Sequence, residues 1–229
     1  MVVDPAVSAS DTGAGLDASL RITEIFHSLQ GETSRTGLPT VFVRLTGCPL
    51  RCGYCDTAYA FHGGASRTIG DILGEVAKHR TRYVCVTGGE PLAQKNCNGL
   101  LASLADRGYS VSLETSGALD VSRVDPRVSR IVDIKTPGSG EVGKNLWDNL
   151  AHLSARDEVK LVLCNEADYE WAKALVLERA LDRTCPVLFS PVHGELDAAA
   201  LAEWILRDEL PVRMQVQLHK VLWGNQQGR

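Results

Sequence analysis

Arg44-Leu45-Thr46-Gly47-Cys48-Pro49-Leu50-Arg51-Cys52-Gly53-Tyr54-Cys55-Asp56-Thr57 is the stretch on which the reading of this chain turns. Three cysteines stand here with three and then two residues between them. In a reducing compartment such clustering points to a metal rather than to disulfides. The segment follows a β-branched run, Thr40–Leu45, and contains Gly47, Pro49 and Gly53, so it reads as a loop. A loop lets three thiolates converge on one compact centre. A closed structural zinc site would want a fourth ligand. Cys85 lies inside a strand pattern, and His62 is the one nearby alternative. Three thiolates suit a four-iron cluster that leaves one iron without a protein ligand. Cys85, Cys97, Cys164 and Cys185 are scattered and read as small buried hydrophobes or inert thiols.

Outward from this loop, short apolar runs alternate with helical patterns. Leu20–Phe26, Thr40–Leu45, Tyr83–Thr87, Ser110–Glu114, Arg130–Ile134, Glu158–Leu163, Pro186–Ser190 and Arg213–Leu218 read as strands. Thr68–Arg80, Asn98–Arg107, Ala167–Leu181 and Asp197–Asp208 read as helices, the first with Thr68 as its cap and Asp71 three residues on. Such alternation predicts an α/β domain with a parallel sheet, either open or closed towards a barrel. Polar groups gather at the strand ends: Thr87-Gly88-Gly89-Glu90, Glu114-Thr115, Asp133-Ile134-Lys135 and Ser190-Pro191. In α/β folds the ligand site lies at those ends.

The chain has 229 residues, enough for one domain, with 44% apolar and 23% charged residues. A formal net charge of −4 makes no case for a nucleic-acid partner, and the cluster His79, Arg80, Arg82 reads as a solvated helix end. No apolar run is long enough for a membrane span, and residues 1–19 lack the basic start and apolar core of a secretory signal. Residues 1–19 are expected to form a flexible extension, residues 20–229 the single domain, and the protein is expected in the cytoplasm.

The cysteine spacing resembles the signature of the radical S-adenosylmethionine superfamily, and Tyr54 before the third cysteine fits it. Thr87-Gly88-Gly89-Glu90-Pro91, one βα unit later, looks like the motif that meets the methionine amino group. The glycines allow close backbone approach and Glu90 offers an anionic acceptor. This resemblance implies a partial (β/α)6 barrel. Three further segments, Glu24-Ile25-Phe26-His27-Ser28-Leu29-Gln30-Gly31-Glu32, Cys55-Asp56-Thr57 and Gln217-Leu218-His219-Lys220, resemble the 7-carboxy-7-deazaguanine synthase family, from about Arg21 to Trp223.

That resemblance implies conversion of 6-carboxy-5,6,7,8-tetrahydropterin to 7-carboxy-7-deazaguanine. A reduced [4Fe-4S] cluster on Cys48, Cys52 and Cys55 would cleave S-adenosylmethionine to a 5′-deoxyadenosyl radical, which takes hydrogen from the pterin; ring contraction and loss of ammonia follow. Mg²⁺ would sit on Thr57. Leu29, Gln30, Gly31, Arg44, Thr87 and His219 would meet the pterin, Arg44 through the substrate carboxylate. Tyr54, Cys55, Asp56, Gly88, Gly89, Glu90, Glu114, Asp133, Lys135 and Ser190 would meet the cofactor. A flavodoxin- or ferredoxin-type reductant and a homodimer are further expectations. Two other readings stand beside it: an activase, which shares the cysteine loop and makes a glycyl radical on a partner protein, and a redox-sensing or electron-transfer iron–sulfur protein, which would more often use four cysteines.

Overall fold

The computed structural model describes residues 15–229. In chain order the elements are β1 (Ser19–Leu29), β2 (Pro39–Leu45), β3 (Ala65–Thr68), α1 (Ile69–Val76), β4 (Tyr83–Gly88), α2 (Cys97–Asp106), β5 (Ser110–Thr115), β6 (Ser129–Ile134), β7 (Glu158–Leu163), α3 (Glu166–Arg179), β8 (Val187–Pro191), α4 (Ala198–Arg207), β9 (Arg213–Met214) and α5 (Leu218–Trp223). All described strands join one sheet in the order β3-β1-β2-β4-β5-β6-β7-β8-β9. From β2 to β9 every pairing is parallel; β1 is antiparallel to both β2 and β3. The six full-length parallel strands β2 and β4–β8 are those of the expected partial barrel, and β9 does not pair back to β1, so the barrel stays open on one side.

Local chemistry accounts for the elements. Thr68 caps α1 by accepting from the Asp71 amide, and Asp71 reciprocates to the Thr68 amide. Ile69, Ile72, Leu73 and Val76 then share the buried face of α1. β7 is buried at all six positions, as a strand covered on both faces must be. Its Glu158 and Lys160 are therefore enclosed charges and need partners.

Four crossovers carry α-helices, but the β5–β6 and β6–β7 connections use loops and 3₁₀ turns. The first of these loops is held by Asn149, whose amide donates to the carbonyls of Gly117 and Leu119 and accepts from the Val121 amide. One buried side chain thus does the anchoring that a packed helix does elsewhere.

Two expectations are corrected. The strand expected over Arg213–Leu218 ends at Met214, and Leu218 opens α5 instead. The side chains of Gln215 and Gln217 are drawn to the β1–β2 loop, where they bond the Thr33 amide and Glu32, so the chain leaves the sheet. The flexible extension expected over residues 1–19 overreaches at its end: Leu16 and Ala18 pack against the core, and Ser19 pairs with Thr68. The rest of that extension lies outside the described residues. The edge strand β3 and the helix α5 were not expected.

The β1–β2 loop positions the site. It passes beneath the barrel at the N-terminal ends of the parallel strands. The Ser34 amide and hydroxyl bond Glu158 at the start of β7, and Arg35 donates to the Ser110 carbonyl at the start of β5. Thr33 is buried in the left-handed region at φ 71°. The loop forms the floor of the barrel interior.

Candidate active site

Above that floor lies a cavity of about 360 Å³ that reaches the C-terminal strand ends. Cys48, Cys52 and Cys55 all line it, as do Gly88 and Gly89. The cysteine loop is braced by its neighbours: the Gly53 amide donates to the Ser139 carbonyl, the Arg51 amide to Glu141, and the Arg51 guanidinium to the Cys48 and Leu50 carbonyls while lying over the Phe61 ring. The Leu50 amide donates to the Cys48 sulfur at 3.4 Å. Burial pushes the Cys48 and Cys52 thiols up. Among the described residues no three His, Cys, Asp or Glu side chains gather as a single-ion site requires. Three soft thiolates spread around one cavity fit the larger frame of an iron–sulfur cluster better than one zinc ion.

The glycine motif packs directly on this loop. The Gly89 amide donates to the Leu45 carbonyl and the Glu90 amide to the Gly47 carbonyl. A Cβ on Gly88 would overlap the Leu45 backbone; one on Gly89 would overlap the Gly47 carbonyl and the Cys48 side chain. Glycine is required at both positions by close backbone approach.

Glu90 is fully buried, and its carboxylate accepts from the Thr115 and Ser116 hydroxyls and the Ser116 and Leu92 amides. It thereby ties the end of β4 to the end of β5, directly behind the Gly88 and Gly89 that line the cavity. Ser190 is buried and donates to the Gln215 carbonyl, while Val192 and His193 just beyond it reach the lining.

The other expected residues converge on the cavity. Leu29, Gln30, Gly31, Arg44, Thr87 and His219 line one part of it. Glu114 accepts from Gln30 at 3.2 Å and from Thr87 at 3.1 Å, two of the residues expected at the pterin. Arg44 pairs through Nε with Glu24 at 2.7 Å, and Tyr59 donates to the same carboxylate oxygen. Burial works against the Arg44 charge, but Tyr59 and Glu24 keep its pKa above the ordinary value. Among the described residues no hydrogen-bond acceptor takes its terminal nitrogens, and the guanidinium lies over the Phe26 and Tyr59 rings. Phe26 and Phe42, stacked with centroids 4.9 Å apart, line the cavity beside it.

Tyr54, Asp56, Thr57, Asp133 and Lys135 also line the cavity. Thr57 donates to Asp56, and Asp56 faces Lys220 at 3.4 Å. Burial would raise the Asp56 carboxyl, but Thr57 and Lys220 outweigh it and hold it low. Burial lowers the His219 imidazole pKa, favouring its neutral form at neutral pH. Asp133 pairs with Lys135 at 3.1 Å, and burial of that lysine is outweighed by the pairing, so its ammonium is retained. One Asp133 oxygen and the Tyr54 hydroxyl are buried without partners. Such orphaned groups on a cavity wall fit a polar ligand. Glu32 and Lys160 were not singled out from the sequence. Glu32 closes the quoted Glu24–Glu32 segment but was given no role, and Lys160 sits in an apolar run with no local signal of its inward direction.

A parallel sheet with three cluster-type cysteines after one strand and a Gly-Gly-Glu turn after the next defines a radical S-adenosylmethionine protein, and the family model "Radical SAM superfamily" matches residues 42–133. The 7-carboxy-7-deazaguanine synthase of Chlorobaculum tepidum is 49% identical over 91% of this chain and 96% of its own length. That of Koribacter versatilis is 41% identical over 89% and 97%. The crystal structure of QueE from Escherichia coli superposes with a TM-score of 0.72 at 25% identity, covering 88% of this chain and 95% of that one. The chain belongs to the 7-carboxy-7-deazaguanine synthase family.

Proposed function

We propose that this chain converts 6-carboxy-5,6,7,8-tetrahydropterin to 7-carboxy-7-deazaguanine with release of ammonia. One observation carries the reading at the site: Arg44, whose terminal nitrogens have no acceptor among the described residues, lines the same cavity as Cys48, Cys52 and Cys55. A carboxylate-bearing heterocycle held there lies within one enclosure with the cluster ligands. Cys48, Cys52 and Cys55 would hold a [4Fe-4S] cluster, which together with S-adenosylmethionine would supply the electron and the radical that start the reaction.

The residues orient and enclose. Arg44 takes the substrate carboxylate through its planar fork. Phe26 and Phe42 offer a flat apolar wall to the heterocycle. Gln30, Thr87 and Glu114 present a donor–acceptor edge, and Leu29, Gly31 and His219 complete that side. Thr57 with Asp56 offers hard oxygen atoms suited to Mg²⁺. Tyr54, Gly88, Gly89, Asp133 and Lys135 face the cofactor. Lys135 would balance the methionine carboxylate, and the free Asp133 oxygen would accept from a ribose hydroxyl.

A flavodoxin- or ferredoxin-type reductant, a homodimer and a cytoplasmic setting belong to the same reading. No helix among the described residues is long and apolar enough to cross a membrane. The glycyl-radical activase is not favoured, since the relatives of high identity carry the synthase name.

The test is anaerobic turnover of reconstituted protein with dithionite, S-adenosylmethionine, Mg²⁺ and the carboxytetrahydropterin, read by mass spectrometry. Deazapurine formation is expected. Formation of 5′-deoxyadenosine without any deazapurine would overturn the substrate assignment.

A further inference from the structure

Lys160 is a buried lysine on the cavity wall to which the proposed reaction gives no task. Its ammonium lies 2.6 Å from Glu32 and 3.5 Å from Asp133. Glu32 is in the floor loop, directly after Gln30 and Gly31. Asp133 ends β6 on the cofactor side and pairs with Lys135. Burial would raise the Glu32 carboxyl and lower the Lys160 ammonium pKa, but each outweighs that on the other, so both stay charged.

The network continues across the open side of the barrel. The second Glu32 oxygen accepts from Gln217 at 2.8 Å, the residue before α5. The Leu218 amide at the start of α5 donates to the Gly31 carbonyl at 2.9 Å. Lys220 on α5 faces Asp56, beside the third cysteine, at 3.4 Å. Contacts therefore run from the cofactor strand through Lys160 to the floor, on to α5, and back to the cysteine loop. β9 makes no strand pairing with β1, so this belt bridges a gap that backbone ladders leave open.

We propose that Lys160 is a positioning residue: by holding Glu32 and Asp133 together it keeps the substrate floor in register with the cofactor wall and latches α5 over the open side. The inference rests on the proposed function in one respect, the identity of the substrate. Loss of the ammonium leaves two buried carboxylates facing each other, and the floor and α5 loosen while the cluster ligands stay in place. Hydrogen abstraction then becomes uncoupled from product formation.

The test uses Lys160→Met, Lys160→Arg and Gln217→Leu in the full reconstituted protein. In Lys160→Met the KM for the pterin is expected to rise about tenfold, with more 5′-deoxyadenosine formed per deazapurine. Lys160→Arg restores the ratio towards wild type. Gln217→Leu, which leaves the sheet intact, shows the same uncoupling to a smaller degree and keeps the idea testable where Lys160→Met fails to fold. Hydrogen exchange at the amides of residues 218–223 is expected to quicken in both variants. Wild-type product ratios together with unchanged exchange in Gln217→Leu and in folded Lys160→Met would overturn the proposal. The exchange readout needs no turnover. A failure of the substrate assignment, seen as absence of deazapurine from the wild-type protein, is thereby distinguished from a failure of the latch.

Discussion

Arg44 and Gly89 show how single residues carry this site. Arg44 is held in place through Nε, so its free fork is preset for a carboxylate. Arg44→Ala is expected to weaken pterin binding by about ten- to a hundredfold, the worth of a hydrogen bond to a charged group at ~1.5–3 kcal/mol. Titration calorimetry measures it, and the cluster absorbance should persist. Gly89→Ala acts differently, because its methyl would intrude on the Gly47 carbonyl and Cys48. Reduced iron and sulfide content after reconstitution is expected, and a full cluster complement would refute the close-packing account. Both residues were legible in the sequence because each belongs to a local motif. Glu90 was legible as a motif residue, but its partners Thr115 and Ser116 were not, since they come from the end of the next strand. Lys160 was not legible at all. Strand alternation does not say which face of a doubly covered strand meets a cavity.

At the level of elements, α1 is the plainest case of local sequence dictating local structure. Its Thr68–Asp71 capping box satisfies two amides that the helix leaves unpaired. Thr68→Ala should cost about 1 kcal/mol in urea unfolding with an unchanged m-value. Turnover should be unaffected, since Thr68 does not line the cavity. The parallel strands and the four crossover helices were legible for the same reason, a period of apolar residues set by nearby chemistry. α5 was not expected, and the last strand was read on to Leu218, where the helix begins. Leu218, Val221 and Leu222 are only part of a short helix, and what ends β9 is the pull of Thr33 and Glu32 on Gln215 and Gln217, far away in sequence.

The whole molecule depends on charges placed in its interior. Arg130 and Asp157 pair at 2.8 Å, with the Asp157 side chain fully buried and also accepting from the Ser154 amide and hydroxyl. Burial would raise the Asp157 carboxyl, but Arg130 and Ser154 outweigh it and hold its pKa below the ordinary value. A depressed native pKa contributes stability above the unfolded value, about 3.9, and that contribution is lost as pH falls through the native value. Thermal melts from neutral pH down to about pH 3 should therefore show a steep acid limb, and Asp157→Asn should flatten it. At neutral pH that variant should lose about 3–5 kcal/mol, because Arg130 is left as an uncompensated buried charge. The floor loop has a consequence for how this molecule is made. Glu32 finds Lys160 128 positions later and Gln217 185 positions later. Contacts that distant are slow to form and raise the contact order of the fold. On the ribosome the early β1–β2 hairpin must wait, its buried-to-be glutamate still in water, until residue 217 has emerged. Closure of the barrel floor is thus a late event in folding.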